Sequence, residues 1–216
     1  ARGRLSANHA RVLARPALSA KVSDIDHADA ILVLDLEPVD EAPILDLRVR
    51  KAVRRNGAKL VTVGSRPSTL DANAVAALRF APGAGEAAVA ALAAALGAPR
   101  ASSLDVEDLS TRAGASEGFR PGASPLPNGD AAAAHERGGS APASGETPSG
   151  PAHAVRAAAD ALRGVGDVVI LWGERLGATP GAIEALLALT EALEIAGKPE
   201  SGLIEIPSGG NGRGLR

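Results

Sequence analysis

Residues 30–63 read AILVLDLEPVDEAPILDLRVRKAVRRNGAKLVTV, and the change of period along them decides the fold class. The opening AILVLDL, residues 30–36, is a continuous apolar run, which suits a strand buried on both faces of a parallel sheet. Pro38 has no amide hydrogen to donate to a ladder and blocks further pairing. Across residues 41–56 the period becomes helical, with Leu45, Val49, Ala52 and Val53 on one face. Glu41 opens that helix and Arg54 and Arg55 close it, as the helix macrodipole favours. Gly57 stands where a left-handed residue ends a helix, and KLVTV, residues 59–63, returns to strand. Strand, helix and strand in so short a span make one right-handed βαβ unit. The expected class is α/β, a mostly parallel sheet with flanking helices.

Outward from this unit, residues 77–81 read as a short strand and residues 86–96 as an Ala-rich helix. With a helical turn or two at residues 105–112, they complete a first α/β unit over residues 18–112. Residues 1–17 are a basic segment, carrying Arg2, Arg4, Arg11 and Arg15. It is expected to be flexible, and it lacks the apolar stretch of a signal peptide. Residues 113–152 are Gly, Pro, Ser and Ala with scattered charge. Such a linker buries too little surface to offset its ordering entropy, so disorder is expected. Residues 153–216 form a second α/β unit. It has a helix at 155–162, a buried strand at 167–172 (DVVILW) and a helix capped by Thr179 with Pro180 at its first position. Ile183, Leu186, Leu187 and Leu193 give that helix its apolar stripe, and residues 203–206 are a final strand. The chain opens on Ala1, contains no methionine and stops at Arg216 after a Gly-rich loop, so it reads as an internal piece of a longer protein. The second unit is then truncated at its end.

Composition narrows the function classes. There are 23 Lys and Arg against 25 Asp and Glu, so the chain has no electrostatic footprint for nucleic acid or an anionic membrane. Hydrophobic residues make up 45 %, much of it alanine, and aromatics 1 %. The core is therefore aliphatic, with Trp172, Phe80 and Phe119 as its large rings. The absence of cysteine excludes disulfides, thiolate zinc sites, iron–sulfur ligation and a Cys nucleophile. No apolar run approaches the ~20 residues needed to span a bilayer.

Candidate chemistry is sparse. Gly83-x-Gly85-x-x-Ala88 imitates a dinucleotide fingerprint, but no acidic residue follows about 20 positions on at the end of a second strand, where the ribose partner belongs. Chance in Ala- and Gly-rich sequence is the favoured account. Gly64, Ser65 and Arg66 end the second strand, where an open parallel sheet gathers ligands, and Asp35 and Glu37 end the first. Together they could line one crevice. The simpler reading makes them loop residues with Arg66 paired to a nearby carboxylate, since two acids repel a phosphate unless they grip a base edge. Residues 209–214 could form a backbone nest for an anion. They lack the Lys-Ser/Thr ending of a P-loop, so a contact loop is the better reading. His9, His27, His135 and His153 share no ligand spacing, and no G-x-S-x-G elbow exists. No catalytic residue and no metal ligand is expected. Trp172 reads as a core or interface anchor.

The run at residues 18–68, LSAKVSDIDHADAILVLDLEPVDEAPILDLRVRKAVRRNGAKLVTVGSRPS, resembles the molybdopterin-oxidoreductase family. Within it, the run is most similar to the form in the large peripheral-arm subunit, the G-type component, of bacterial NADH:quinone oxidoreductase (respiratory complex I). The characteristic parts are Asp24-Ile25 and Ala28-Asp29 before the strand, then Glu41-Ala42-Pro43-Ile44 with Arg48, Arg50, Lys51 and Ala52. Residues 170–175 (ILWGER), 202–204 (GLI) and 211–215 (NGRGL) agree, and the resemblance covers most of residues 18–96 and 154–216.

In the family's active molybdenum enzymes the first strand typically ends in Gly-x-Asn-Pro and the second in Asp-Pro-Arg, and these loops help hold the guanosine parts of the pterin cofactor. Here the first reads Asp35-Leu36-Glu37-Pro38 and the second Gly64-Ser65-Arg66. The resemblance thus implies a domain that has lost the molybdenum cofactor, with Asp35, Glu37, Gly64, Ser65 and Arg66 as vestigial positions. It implies iron–sulfur clusters in an upstream part of the same polypeptide and partners among the other complex I subunits. The setting implied is the peripheral arm at the cytoplasmic face of the inner (plasma) membrane, with no membrane insertion and no nucleic acid. The assembly would pass electrons from NADH through flavin and iron–sulfur clusters to quinone, coupled to proton translocation. The alternative is part of an active molybdopterin enzyme, such as a formate dehydrogenase or nitrate reductase, whose loops have drifted.

Overall fold

A computed structural model describes residues 7–98 and 150–207. Five strands, β1 (Ala30–Leu34), β2 (Lys59–Gly64), β3 (Ala76–Arg79), β4 (Val168–Gly173) and β5 (Gly202–Ile206), form one sheet in the order β3-β2-β1-β4-β5. Every pairing is parallel. Ala30 of β1 partners Lys59 on one side and Val168 on the other, so both α/β halves share this sheet through β1 and β4. All residues of β1 and β4 are buried, which is why their sequences are apolar without alternation.

Helices cover both faces. One face packs α3 (Pro43–Lys51) through Leu45 and Val49, with Ile25 and Leu70 beside it, on Ile31, Val33, Leu60, Val169 and Leu171. The other packs α4 (Gly85–Ala95), α5 (Pro151–Leu162) and, after the short α6 (Glu174–Gly177), α7 (Ala182–Ala192). These helices contribute small residues such as Ala88, Ala93, Ala158 and Ala185, while Leu34, Ile170 and Trp172 fill the space from the sheet. The connections from β1 through β2 to β3 lie on one face and those leading to β4 and β5 on the opposite face, so the strand order reverses at β1 and β4. Their carboxyl ends are the topological switch point.

Several elements depart from the expectations. β1 stops at Leu34 because Asp35 adopts a left-handed backbone, φ 45°. The helix expected over residues 41–56 is three pieces: α2 (Pro38–Glu41), α3 and a π-helical turn at Ala52–Asn56. The break falls at Ala42, φ −156°, because the ring of Pro43 disfavours the helical region for the residue before it. Glu41 therefore ends α2 rather than opening the long helix. Gly57 caps the π-turn in the left-handed region, φ 74°, as expected.

Thr179 does not cap α7. Its hydroxyl donates to the Arg175 carbonyl at 3.3 Å, and Gly181, φ 75°, precedes the helix. The second half begins at Pro151, in the first position of α5, rather than at residue 153. The N-terminal segment carries α1 (Ala7–Leu13), and Leu13 and Leu18 pack on the three-helix side of the core. A backbone bond from Ala20 N–H to the Leu203 carbonyl, 3.1 Å, covers part of the outer edge of β5. The expected turn at 105–112, most of the linker, Phe119, His135 and the loop at 208–214 lie outside the described residues.

Gly83, Gly85 and Ala88 do follow a strand and open a helix. Gly85 serves packing, since a Cβ there would stand 3.2 Å from Leu176 Cδ1 and 3.6 Å from the Phe80 ring, while Gly83 supplies a left-handed turn, φ 89°. Among the histidines, His9 pairs with Glu184 of α7 at 3.0 Å, and His27 and His153 are exposed. No group of three His, Cys, Asp or Glu among the described residues could hold a metal ion. No helix among them is long and apolar enough to cross a membrane.

Candidate functional site

At the carboxyl ends of β1, β2 and β4 lies a crevice of about 230 Å³, lined among others by Asp35, Glu37, Glu41, Gly64, Arg66 and Arg175. The structure thus brings the expected Asp35, Glu37, Gly64 and Arg66 to one place, with Ser65 adjoining.

Asp35 is fixed from three directions. Its amide donates to the Val63 carbonyl at 2.7 Å, and its Oδ1 accepts from Ser65 N–H at 2.9 Å and Ser65 Oγ–H at 2.7 Å. Its carbonyl accepts from Arg175 Nε at 3.0 Å. A non-glycine residue in the left-handed region is uncommon, and aspartate is among the side chains that tolerate it best. The surrounding bonds over-determine the conformation and so sustain its cost.

Glu37 turns onto its own chain, where Oε1 accepts from Thr69 Oγ–H at 2.7 Å and more weakly from Thr69 N–H at 3.4 Å. Glu41 Oε1 accepts from the Glu37 amide at 3.0 Å and from Arg175 Nη2 at 2.7 Å. Gly173 makes the second bond reachable. A Cβ there would sit 3.0 Å from Leu36 Cδ1, so glycine lets the end of β4 approach the turn after β1 without displacing that side chain.

Arg66 departs from its expected pairing. It is exposed and forms no ion pair or hydrogen bond with another described residue. The carboxylates find Arg175 instead.

Beneath the crevice, Arg79 at the end of β3 pairs with Asp71 and reaches Thr62 Oγ1 at 3.3 Å. Asp71 also accepts from Thr62 Oγ–H at 2.8 Å and Ser68 N–H at 2.9 Å. Burial alone would raise the Asp71 pKa, but the bonds from Arg79, Ser68 and Thr62 together with the Arg79 charge hold it below its ordinary 3.8. A depressed carboxylate contributes stability above its unfolded pKa, and that stability is lost as pH falls through the folded value. Asp71→Asn is therefore expected to flatten the acid arm of the stability–pH curve below pH about 4. Urea midpoints of the two proteins compared across that range check it.

Thr62, Asp71 and Arg79 carry no signal in the sequence, and Glu41 and Arg175 stand out there only as helix-end and family-run residues, not as site residues. Arg175 and Glu41 are far apart in the chain, and no spacing rule links them.

A family model described as molybdopterin oxidoreductase matches residues 3–176, most of the chain. The chain belongs to the molybdopterin oxidoreductase family. It is also similar to the G 2 subunit of NADH-quinone oxidoreductase from Rhizobium meliloti (strain 1021), 38 % identical over 68 residues. That stretch is 32 % of this chain and 8 % of the relative, so the chain spans only a small part of that protein's length. The parallel five-stranded sheet with helices on both faces is the α/β architecture the family resemblance implied, present as a partial domain. Where the family pattern carries glycine after β1, this molybdopterin oxidoreductase-type domain carries Asp35 with the left-handed backbone a glycine adopts without cost.

Proposed function

We propose that this chain is part of the large peripheral-arm subunit of an NADH–quinone oxidoreductase, in which the molybdopterin oxidoreductase-type domain holds no molybdenum cofactor and serves as packing and docking mass. In this reading its partners are the other subunits of the complex, and the iron–sulfur clusters lie in a different part of the same polypeptide. The complex passes electrons from NADH to quinone at the cytoplasmic face of the membrane, and this segment contributes no catalytic residue.

The observation that carries the reading is the chemistry of the crevice. Asp35, Glu37, Asp40 and Glu41 face Arg66, Arg79 and Arg175 there, and Arg79 is already paired with Asp71. A pterin dinucleotide brings two phosphates, which need cations and free N–H groups. The Glu37 amide and the Arg175 guanidinium are both engaged by Glu41. Arg66 is left as a single cation without a partner among the described residues, set against two phosphates and the four carboxylates of the lining, so the residues present do not fit that group. The volume, about 230 Å³, also falls below the several hundred cubic ångströms of an ordinary ligand pocket. Similarity to the Rhizobium meliloti protein supports the assembly, as do Ile44 and Leu47, 64 % and 62 % exposed on the outer side of α3.

The test is elemental. The full-length protein that contains this chain, purified from its source, is expected to carry molybdenum and extractable pterin only at background. Stoichiometric molybdenum, or a pterin guanine dinucleotide released on denaturation, would overturn the proposal in favour of an active molybdenum enzyme.

A further inference from the structure

Arg175 stands on α6 directly beyond β4, yet every bond it makes in the crevice goes to the turn after β1: Nε to the Asp35 carbonyl, 3.0 Å, and Nη2 to Glu41 Oε1, 2.7 Å. Asp35 Oδ2 lies 4.0 Å from Nε. Two oxygens of Asp35 in that turn and one of Glu41 at the end of α2 converge on one guanidinium, at the point where an open parallel sheet admits its ligands.

We infer that Arg175 is a built-in ligand: its guanidinium fills the switch point as a permanent internal cation, latches the β1 turn to the end of β4 and excludes an external anion. This rests on the cofactor-free reading and supplies its physical means. The polarity of the position follows from its neighbours. A backbone carbonyl and two carboxylates point inward, so the vacancy left by removing Arg175 selects a planar cation and repels phosphate. Asp35 and Glu41 are largely buried, with side chains 11 % and 17 % exposed, while the Arg175 side chain is 37 % exposed, so the acids hold the guanidinium from the inside and salt screens its outer side. It also explains the strained backbone of Asp35. The left-handed turn aims that carbonyl at β4, and Arg175 is what it meets.

Amide hydrogen exchange on the full chain tests this. In Arg175→Ala, exchange across residues 36–41 is expected to rise about tenfold, the scale of losing a charge-assisted hydrogen bond to a held turn. Low-millimolar methylguanidinium, which replaces the missing head group, should restore protection, while inorganic pyrophosphate should not. Glu41→Gln, which keeps an acceptor for the Glu37 amide but removes the charge facing Arg175, should give a smaller rise and tests the latch if the alanine variant folds poorly. Unchanged exchange in both variants would overturn the latch and leave the cofactor-free reading standing. Protection of the wild-type turn by pyrophosphate would bring down both.

Discussion

Replacing Trp172 with alanine is expected to remove about 3–5 kcal/mol of folding stability, the range for deleting a large buried aromatic. Trp172 is 1 % exposed, heads the fully buried side chains by volume and is the single tryptophan of the chain. Its surroundings make collapse of the cavity difficult. The helices on that face present alanines to the sheet, and a Cβ at Gly177 would already stand 3.2 Å from the indole Cζ3. Small side chains cannot extend into a void, so most of the lost volume stays empty. The indole Nε1 is buried without a hydrogen-bond partner among the described residues, which sets up a contrast. Trp172→Phe removes that unsatisfied donor along with part of the ring, so it should cost far less than volume alone suggests. Urea unfolding followed by far-ultraviolet circular dichroism distinguishes the two. An alanine variant within about 1 kcal/mol of wild type would mean that this face is loosely packed.

Much of this architecture was legible in the sequence because burial on both faces leaves a direct mark. AILVL and VVILW contain no polar residue, so a parallel sheet covered on both sides was the natural solution before any topology was known. Gly57 was legible for the same kind of reason, since a helix ending before a strand needs a left-handed residue. The divided helix was legible in principle: Ala42 precedes Pro43, and the steric rule for that position outweighs the helical period running through it. Thr179-Pro180 misled because Gly181 provides a second, tighter way to enter α7 and frees the threonine hydroxyl for the Arg175 carbonyl.

The crevice was half legible. Asp35, Glu37, Gly64 and Arg66 meet because strand ends meet in a parallel sheet, and topology alone predicts that. Which cation answers which carboxylate is a matter of side-chain reach across β1 and β4. Arg175 wins over Arg66 because Gly173 lets it come close.

The same reasoning gives Arg50→Ala a large effect, about 2–3 kcal/mol, for electrostatic rather than steric reasons, the scale of a charge-assisted hydrogen bond whose arginine is 24 % exposed. Arg50 Nε donates to Asp46 Oδ2 at 2.8 Å within α3, and its other nitrogens reach Asn73 Oδ1 at 3.3 Å and Thr69 Oγ1 at 3.1 Å. The bond to Asp46 raises the Arg50 pKa above its ordinary value, opposed by burial and aided by the charges of Asp46 and Glu37. Asp46 is 4 % exposed and its Oδ1 already lacks a partner among the described residues, so removing Arg50 leaves a buried carboxylate with nothing to answer it. Neutralising the acid as well should recover most of the loss: Arg50→Ala with Asp46→Asn is expected to be more stable than Arg50→Ala alone. Thr69 connects this pair to the crevice, since the hydroxyl that Arg50 contacts also donates to Glu37. Loss of Arg50 should therefore loosen Glu37 too, visible as faster amide exchange at Thr69. A double-mutant cycle with no coupling between positions 46 and 50 would show instead that the two side chains contribute to stability independently, and would overturn this account.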